Sequence, residues 1–121
     1  MARLILTVDD SPSMRLMMHL TLTGQGYEVK QASDGLEALE FARANNADLV
    51  LTDINMPRMD GLALIRELRQ LPAYKTVPML VITTESAQDK KMAGKEAGAT
   101  GWLVKPFNNQ QLLSTIARVL F

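Results

Sequence analysis

Five polar residues stand where oxygen and phosphate chemistry could be done. Asp9 and Asp10 directly follow the apolar run Leu4 to Val8, Asp53 follows Leu49 to Thr52, Thr83 ends a third run and Lys105 follows a fourth. Three carboxylates brought together repel one another, and desolvation adds to the cost of keeping all of them ionised. A hard divalent cation with oxygen ligands is the simplest relief. Mg²⁺ suits a site with few protein ligands and room for water and phosphate oxygens. Lys105 precedes Pro106, which forces a turn and in the cis form would aim the lysine back over the strand ends. At a buried strand end a lysine neutralises a carboxylate or a phosphoryl oxygen. The Thr83 hydroxyl could hydrogen-bond such an oxygen, with Thr84 as its competitor.

Each group alone has a plainer reading. Asp9-Asp10 is equally an acidic turn, one residue of which caps a helix beginning near Pro12. Lys105 is equally a solvated loop lysine, and Thr83 a β-branched strand residue. Together they suggest phosphoryl transfer to a carboxylate: Asp53 as nucleophile, Mg²⁺ neutralising the attacked oxygens, Lys105 and Thr83 holding the rest. Other chemistries lack their signatures. There is no Walker loop, no G-x-G-x-x-G after the first run and no G-x-S-x-G elbow. The one histidine, His19, lies in a helical segment with no metal-spaced partner, so helix packing or surface exposure accounts for it. The eight methionines read as core filler.

Something must carry these residues to one place. Short apolar runs alternate with segments of helical period about five times: Leu4 to Val8, Tyr27 to Ala32, Leu49 to Thr52, Met79 to Thr83 and Trp102 to Val104. Most are Val/Leu/Ile-rich and nearly uninterrupted, as suits strands buried on both faces of a parallel sheet. The second alternates and carries charge, as an edge strand would. Among the helical segments, Leu112, Leu113, Ile116, Ala117 and Leu120 form one stripe. Leu62, Ile65 and Leu68 form another, with Arg66, Glu67 and Arg69 on its far side. Met14, Met17, Met18 and Leu22 share a face that Gly24 and Gly26 close. The segment from Ser86 to Ala97 offers only Ala87, Met92, Ala93 and Ala97, with Gly94 inside it, and reads as the most mobile helix. Parallel neighbours need crossover helices, so five strands alternating with five helices imply an α/β open sheet. In such sheets ligands bind at the C-terminal strand ends, where Asp9, Asp10, Asp53, Thr83 and Lys105 all fall.

Bulk properties narrow the function classes. A chain of 121 residues makes one ordinary domain, and 47% hydrophobic with 21% charged residues describes a folded soluble protein. Thirteen basic residues balance thirteen acidic ones, which removes the usual argument for nucleic acid or an anionic membrane as partner. Without cysteine there is no disulfide, thiol or Cys-zinc chemistry. No bilayer-length stretch lacks charge, and the N-terminus is unlike a signal peptide, so a cytoplasmic location is expected.

The blocks ILTVDDSPSMR, DLVLTDINMPRMDGLALI, VPMLVITTES and AGATGWLVKPFN, in this order and spacing, resemble the CheY-like response-regulator receiver domains of two-component signalling. The resemblance covers essentially all of residues 1–121, read as one receiver domain with no output domain. It implies the flavodoxin-like (βα)5 doubly wound sheet with strand order 2-1-3-4-5. By resemblance Asp53 is the phosphoacceptor, Asp9 and Asp10 support Mg²⁺, Asn55 adds its backbone carbonyl, and Thr83 and Lys105 contact the phosphoryl group. Pro57 and Gly61 shape the loop after the acceptor. Trp102 takes the place of the tyrosine or phenylalanine that changes rotamer on activation. Asn55 and Glu85 flank the site and tune the lifetime of the phosphoryl group; their types match those of chemotaxis regulators with short lifetimes. The resemblance further implies a sensor histidine kinase of the CheA type as donor. Its target would be a protein such as a flagellar motor switch, docking on the fourth helix, fifth strand and fifth helix, where Lys90, Lys91 and Lys95 make a basic or merely solvated face. A phosphate sink, a relay intermediate and a receiver cut from a larger regulator are the alternatives. A Mg²⁺ phosphatase of the haloacid-dehalogenase type would need a second acidic residue where Asn55 stands.

Overall fold

Each of the five apolar runs is a strand: β1 (Leu4–Val8), β2 (Glu28–Ala32), β3 (Leu49–Asp53), β4 (Met79–Thr83) and β5 (Gly101–Val104). Between and after them lie α1 (Pro12–Thr23), α2 (Gly35–Ala44), α3 (Gly61–Arg69), α4 (Gln88–Ala97) and α5 (Asn109–Val119), with a 3-10 turn at Pro72–Tyr74. The computed structural model describes residues 2–84 and 88–120, and for 88–91 the backbone alone. All neighbouring strands pair in parallel, in the order β2-β1-β3-β4-β5. The charged alternating run is therefore an edge strand, as its pattern implied.

Strand periodicity sorts the core into two layers. Leu6, Val8, Val50, Met79 and Val81 face α2, α3 and the end of α4, where they meet Leu39, Leu64, Ile65, Leu68 and Ala97. Ile5, Leu49, Leu51, Leu80 and Ile82 face α1 and α5, where Met18, Leu22, Leu112 and Ile116 close the second layer. Most of these side chains are wholly buried. Each contributes roughly 1.5–3 kcal/mol relative to exposure, so the two layers dominate the stability of the scaffold.

The helices depart from the sequence pattern at four points. Neither Asp9 nor Asp10 caps α1; Ser11 does, accepting from the Met14 amide at 3.3 Å. Gly24 has ordinary helical φ, and the left-handed residue of that turn is Gly26 at φ 91°. Ala117 is exposed, because a position five residues beyond Leu112 has rotated away from the sheet; Thr115 is buried and Val119 packs in its place. Arg69 does not simply face solvent. Its Nη1 donates to the carbonyls of Tyr74 (2.7 Å) and Val77 (2.8 Å), and Nη2 to that of Gly98 (2.7 Å). It thereby joins α3 to the turn before β4 and to the turn after α4, and burial pushes its pKa down.

Candidate functional site

Strand register assembles the candidate residues. Val8 pairs with Thr52, so Asp9 emerges beside Asp53 at the crevice where strand order reverses. Asp53 pairs with Ile82, which places Thr83 next along the edge, and Thr83 pairs with Val104, which places Lys105 beyond it. The Lys105 amide donates to the Thr83 carbonyl at 2.7 Å. The Lys105–Pro106 peptide is cis. The lysine lies over the strand ends, with Nζ 3.3 Å from Asp53 Oδ2 and 3.5 Å from Asp9 Oδ2.

Asp9 is wholly buried. Its Oδ1 accepts from the Ser11 amide at 2.8 Å, while Oδ2 has no hydrogen-bond partner among the described residues and lies 3.5 Å from the Lys105 ammonium. Burial pushes the Asp9 carboxyl above its usual pKa; the Ser11 amide and Lys105 oppose this, and the charges of Asp53 and Asp10 add to it. Asp53 is buried and Asp10 exposed. One oxygen from each of the three lies within 4.8 Å of the others. An octahedral Mg²⁺ with ligands at about 2.1 Å spaces its oxygens by about 3–4 Å, so small side-chain movements would close this set around a cation. The bare buried Asp9 oxygen and the all-oxygen donors fit such an ion.

The loop after β3 is held tightly to the end of that strand. The Gly61 amide donates to the Ile54 carbonyl at 2.8 Å, and a Cβ at Gly61 would stand 2.0 Å from the Asp53 carbonyl oxygen. A side chain there cannot be accommodated without moving the backbone of Asp53 itself. Asn55 is an exposed residue of this loop.

Of the remaining candidates, Thr83 is buried and Thr84 exposed. Trp102 is 38% exposed. It borders a groove of about 340 Å³ lined also by Leu80, Thr100, Thr115, Arg118 and Val119. Glu85, Ser86 and Ala87 lie outside the described residues, as do the side chains of Lys90 and Lys91; Lys95 is exposed on α4. His19 joins no cluster of metal-ligand type among the described residues.

Two residues near the site escaped the sequence reading. Ser11 ties down Asp9 from the turn, and Arg15 Nη1 donates to the Asp9 carbonyl at 2.7 Å from α1. The Ser-Pro pair at 11–12 was a legible capping signal. Nothing in the sequence marked Arg15.

The family model for the response regulator receiver domain matches residues 5–117. The response regulator MprA of Mycobacterium leprae is 39% identical over 116 residues, which is 96% of this chain and 50% of MprA. The chain thus spans about half the length of the curated relatives it matches. The crystal structure of the Vibrio cholerae chemotaxis protein CheY4 is 48% identical with a TM-score of 0.97, covering 99% of this chain and 100% of that one. The receiver domain of the sensor histidine kinase PA1611 from Pseudomonas aeruginosa is 28% identical with a TM-score of 0.91, covering 98% of each chain. That structure has a magnesium ion coordinated in its active-site cleft.

Proposed function

This chain belongs to the response regulator receiver domain family, and from that premise we propose that Asp53 accepts a phosphoryl group in a Mg²⁺-dependent reaction that switches binding to a protein target. Receiver domains are signalling modules of two-component systems, charged by a histidine kinase and read by a downstream partner. The observation that carries the assignment to Asp53 is the convergence of Asp9, Asp10 and Lys105 on its carboxylate.

In this reading an Asp53 oxygen forms the new bond to phosphorus as the bond to the donor's imidazole nitrogen breaks. Lys105, already 3.3 Å from Asp53 Oδ2, follows the charge onto the phosphoryl oxygens, and the Thr83 hydroxyl takes a second oxygen. Asp9, Asp10, Asp53 and the Asn55 carbonyl would hold Mg²⁺, which when bound would neutralise charge on the phosphoryl oxygens. Asn55 and Glu85 set how soon water removes the group. The inward pull on Thr83 shifts the population of Trp102 and the α4–β5–α5 surface.

Chemotaxis is the finer reading we favour, with a CheA-type kinase as donor and a motor switch or another signalling protein as target. It is supported by the likeness to CheY4 and by Asn55 and Glu85, whose types match those of chemotaxis regulators. The likeness to MprA, which is named only as a response regulator, supports instead a receiver that serves another output. A cytoplasmic location accords with the absence, among the described residues, of any helix long and apolar enough to cross a membrane.

Trp102 is the single tryptophan, so its fluorescence reports on the switch directly. Mg²⁺ and then a small phosphodonor should each change the emission, and Asp53→Ala should abolish the second change. An equal phosphodonor response in Asp53→Ala would remove the assignment. Capture of a motor-switch component by the activated protein would support chemotaxis; capture of a histidine kinase alone would favour a phosphate sink.

A further inference from the structure

Arg58 is the one non-glycine residue with positive φ, 67°, among those described. Glycine would occupy this conformation with less strain, so the arginine side chain has a use that offsets the backbone preference. Its Nε donates to Asp34 Oδ2 at 2.8 Å, and Nη2 lies 2.8 Å from the same oxygen as an ion pair. Asp34 is buried, and its other oxygen accepts from the Glu37 amide at 2.9 Å, capping α2. One carboxylate therefore caps a helix and grips the loop that follows the phosphoacceptor strand.

A second tie lies beside the first. The Gly35 amide donates to the Met59 carbonyl at 3.1 Å, and a Cβ at Gly35 would stand 2.5 Å from that oxygen. The loop is thus fastened at residues 58–59 to α2 and, through the hydrogen bond from Gly61 to Ile54, to the end of β3. Asn55 lies between these anchors.

We propose that Asp34 and Arg58 are a positioning pair: by fastening the loop to α2 they set the backbone that carries the Asn55 carbonyl, and so raise the affinity of the Asp9, Asp10 and Asp53 site for its cation. The inference rests on the phosphoacceptor reading above. Arg58 and the Glu37 amide hold the Asp34 carboxyl below its usual pKa, so the pair stays charged at neutral pH. Arg58 is largely exposed, and an exposed ion pair adds little to global stability. Its removal acts on the loop more than on the fold.

The test uses Arg58→Gly, which suits the backbone but drops the grip, and Asp34→Ser, which keeps the cap but is too short to reach Arg58. Mg²⁺ binding is measured by calorimetry, and phosphoryl incorporation from a small phosphodonor is followed across Mg²⁺ concentrations. Each variant should bind Mg²⁺ about tenfold more weakly, as outer partners of metal sites generally do when lost. Incorporation at saturating Mg²⁺ should stay near the wild-type rate, whereas a general loss of structure would lower that maximum. The double variant should match the singles, because the two residues act as one unit. An unmoved Mg²⁺ midpoint in either single variant, a fallen maximum, or shifts that multiply in the double would overturn the pair. A wild-type chain that binds no Mg²⁺ would overturn the phosphoacceptor reading, and the pair with it.

Discussion

The Lys105 ammonium stands 3.5 Å from Asp9 Oδ2, a buried oxygen that accepts no hydrogen bond from the described residues. The same ammonium lies 3.3 Å from Asp53 Oδ2, so one cation serves two carboxylates and satisfies neither fully. A buried anion left this way weakens the fold unless a further cation shares it. This is the electrostatic ground for expecting that stability and function oppose each other at this site.

Asp9→Asn tests that opposition. Burial raises the Asp9 pKa above 3.8, so the native state holds this proton more tightly than the unfolded chain. Its contribution to stability therefore falls as pH rises from 3.8 through the raised value. Without Mg²⁺ at pH 7 the variant should be more stable than wild type in urea unfolding, and the gain should shrink away as pH falls below 3.8. Added Mg²⁺ should stabilise wild type and leave the variant unchanged. A less stable variant in metal-free buffer would contradict the electrostatic account.

Lys105→Met should move stability the other way. It leaves two carboxylates without their shared cation, at about 1 kcal/mol, less than for a fully buried pair because the lysine side chain keeps some solvent contact. Combining it with Asp9→Asn should recover part of the loss, since one of the two charges is then gone. Strictly additive urea midpoints would mean that the two residues do not interact.

Arg69→Met should lower stability by roughly 2–4 kcal/mol, because several carbonyls lose a charged donor together. Arg69→Lys should recover little, since one ammonium cannot reproduce a planar fork that reaches Tyr74, Val77 and Gly98. Chemical denaturation decides the matter, and a lysine variant as stable as wild type would count against the fork.

Gly61→Ala should cost on the order of 2 kcal/mol and impair phosphoryl incorporation together, because the added methyl meets the Asp53 carbonyl. A variant that keeps wild-type incorporation would show that the backbone of the acceptor tolerates displacement.

Much of the fold is legible in the sequence, for identifiable reasons. Buried parallel strands read as unbroken apolar runs, so Leu4–Val8 and Met79–Thr83 were bounded to the residue. Alternating charge marked β2 as an edge. The convergence of the candidate residues followed because they directly end or follow strands, where register brings Asp9, Asp53, Thr83 and Lys105 to one edge. What escaped was set by tertiary contact. Arg69 resembles any outward-facing arginine until the turn before β4 folds against it. Arg58 occupies a left-handed position where glycine or asparagine would have signalled a turn, so its grip on Asp34 has no sequence signature. Ala117 followed the apolar pattern yet points outward, because the helical period placed Thr115 inward instead.

The central claim is that Asp53 is the phosphoacceptor and that the acidic cluster and Lys105 serve it. Intact-mass measurement after incubation with a small phosphodonor tests this most directly, in Mg²⁺ and in chelator, on wild type and Asp53→Asn. Wild type in Mg²⁺ should gain the mass of one phosphoryl group on the peptide that contains Asp53, and lose it with time. Chelated wild type and Asp53→Asn should gain none. Incorporation that persists in Asp53→Asn, or that proceeds equally without a divalent cation, would contradict the account.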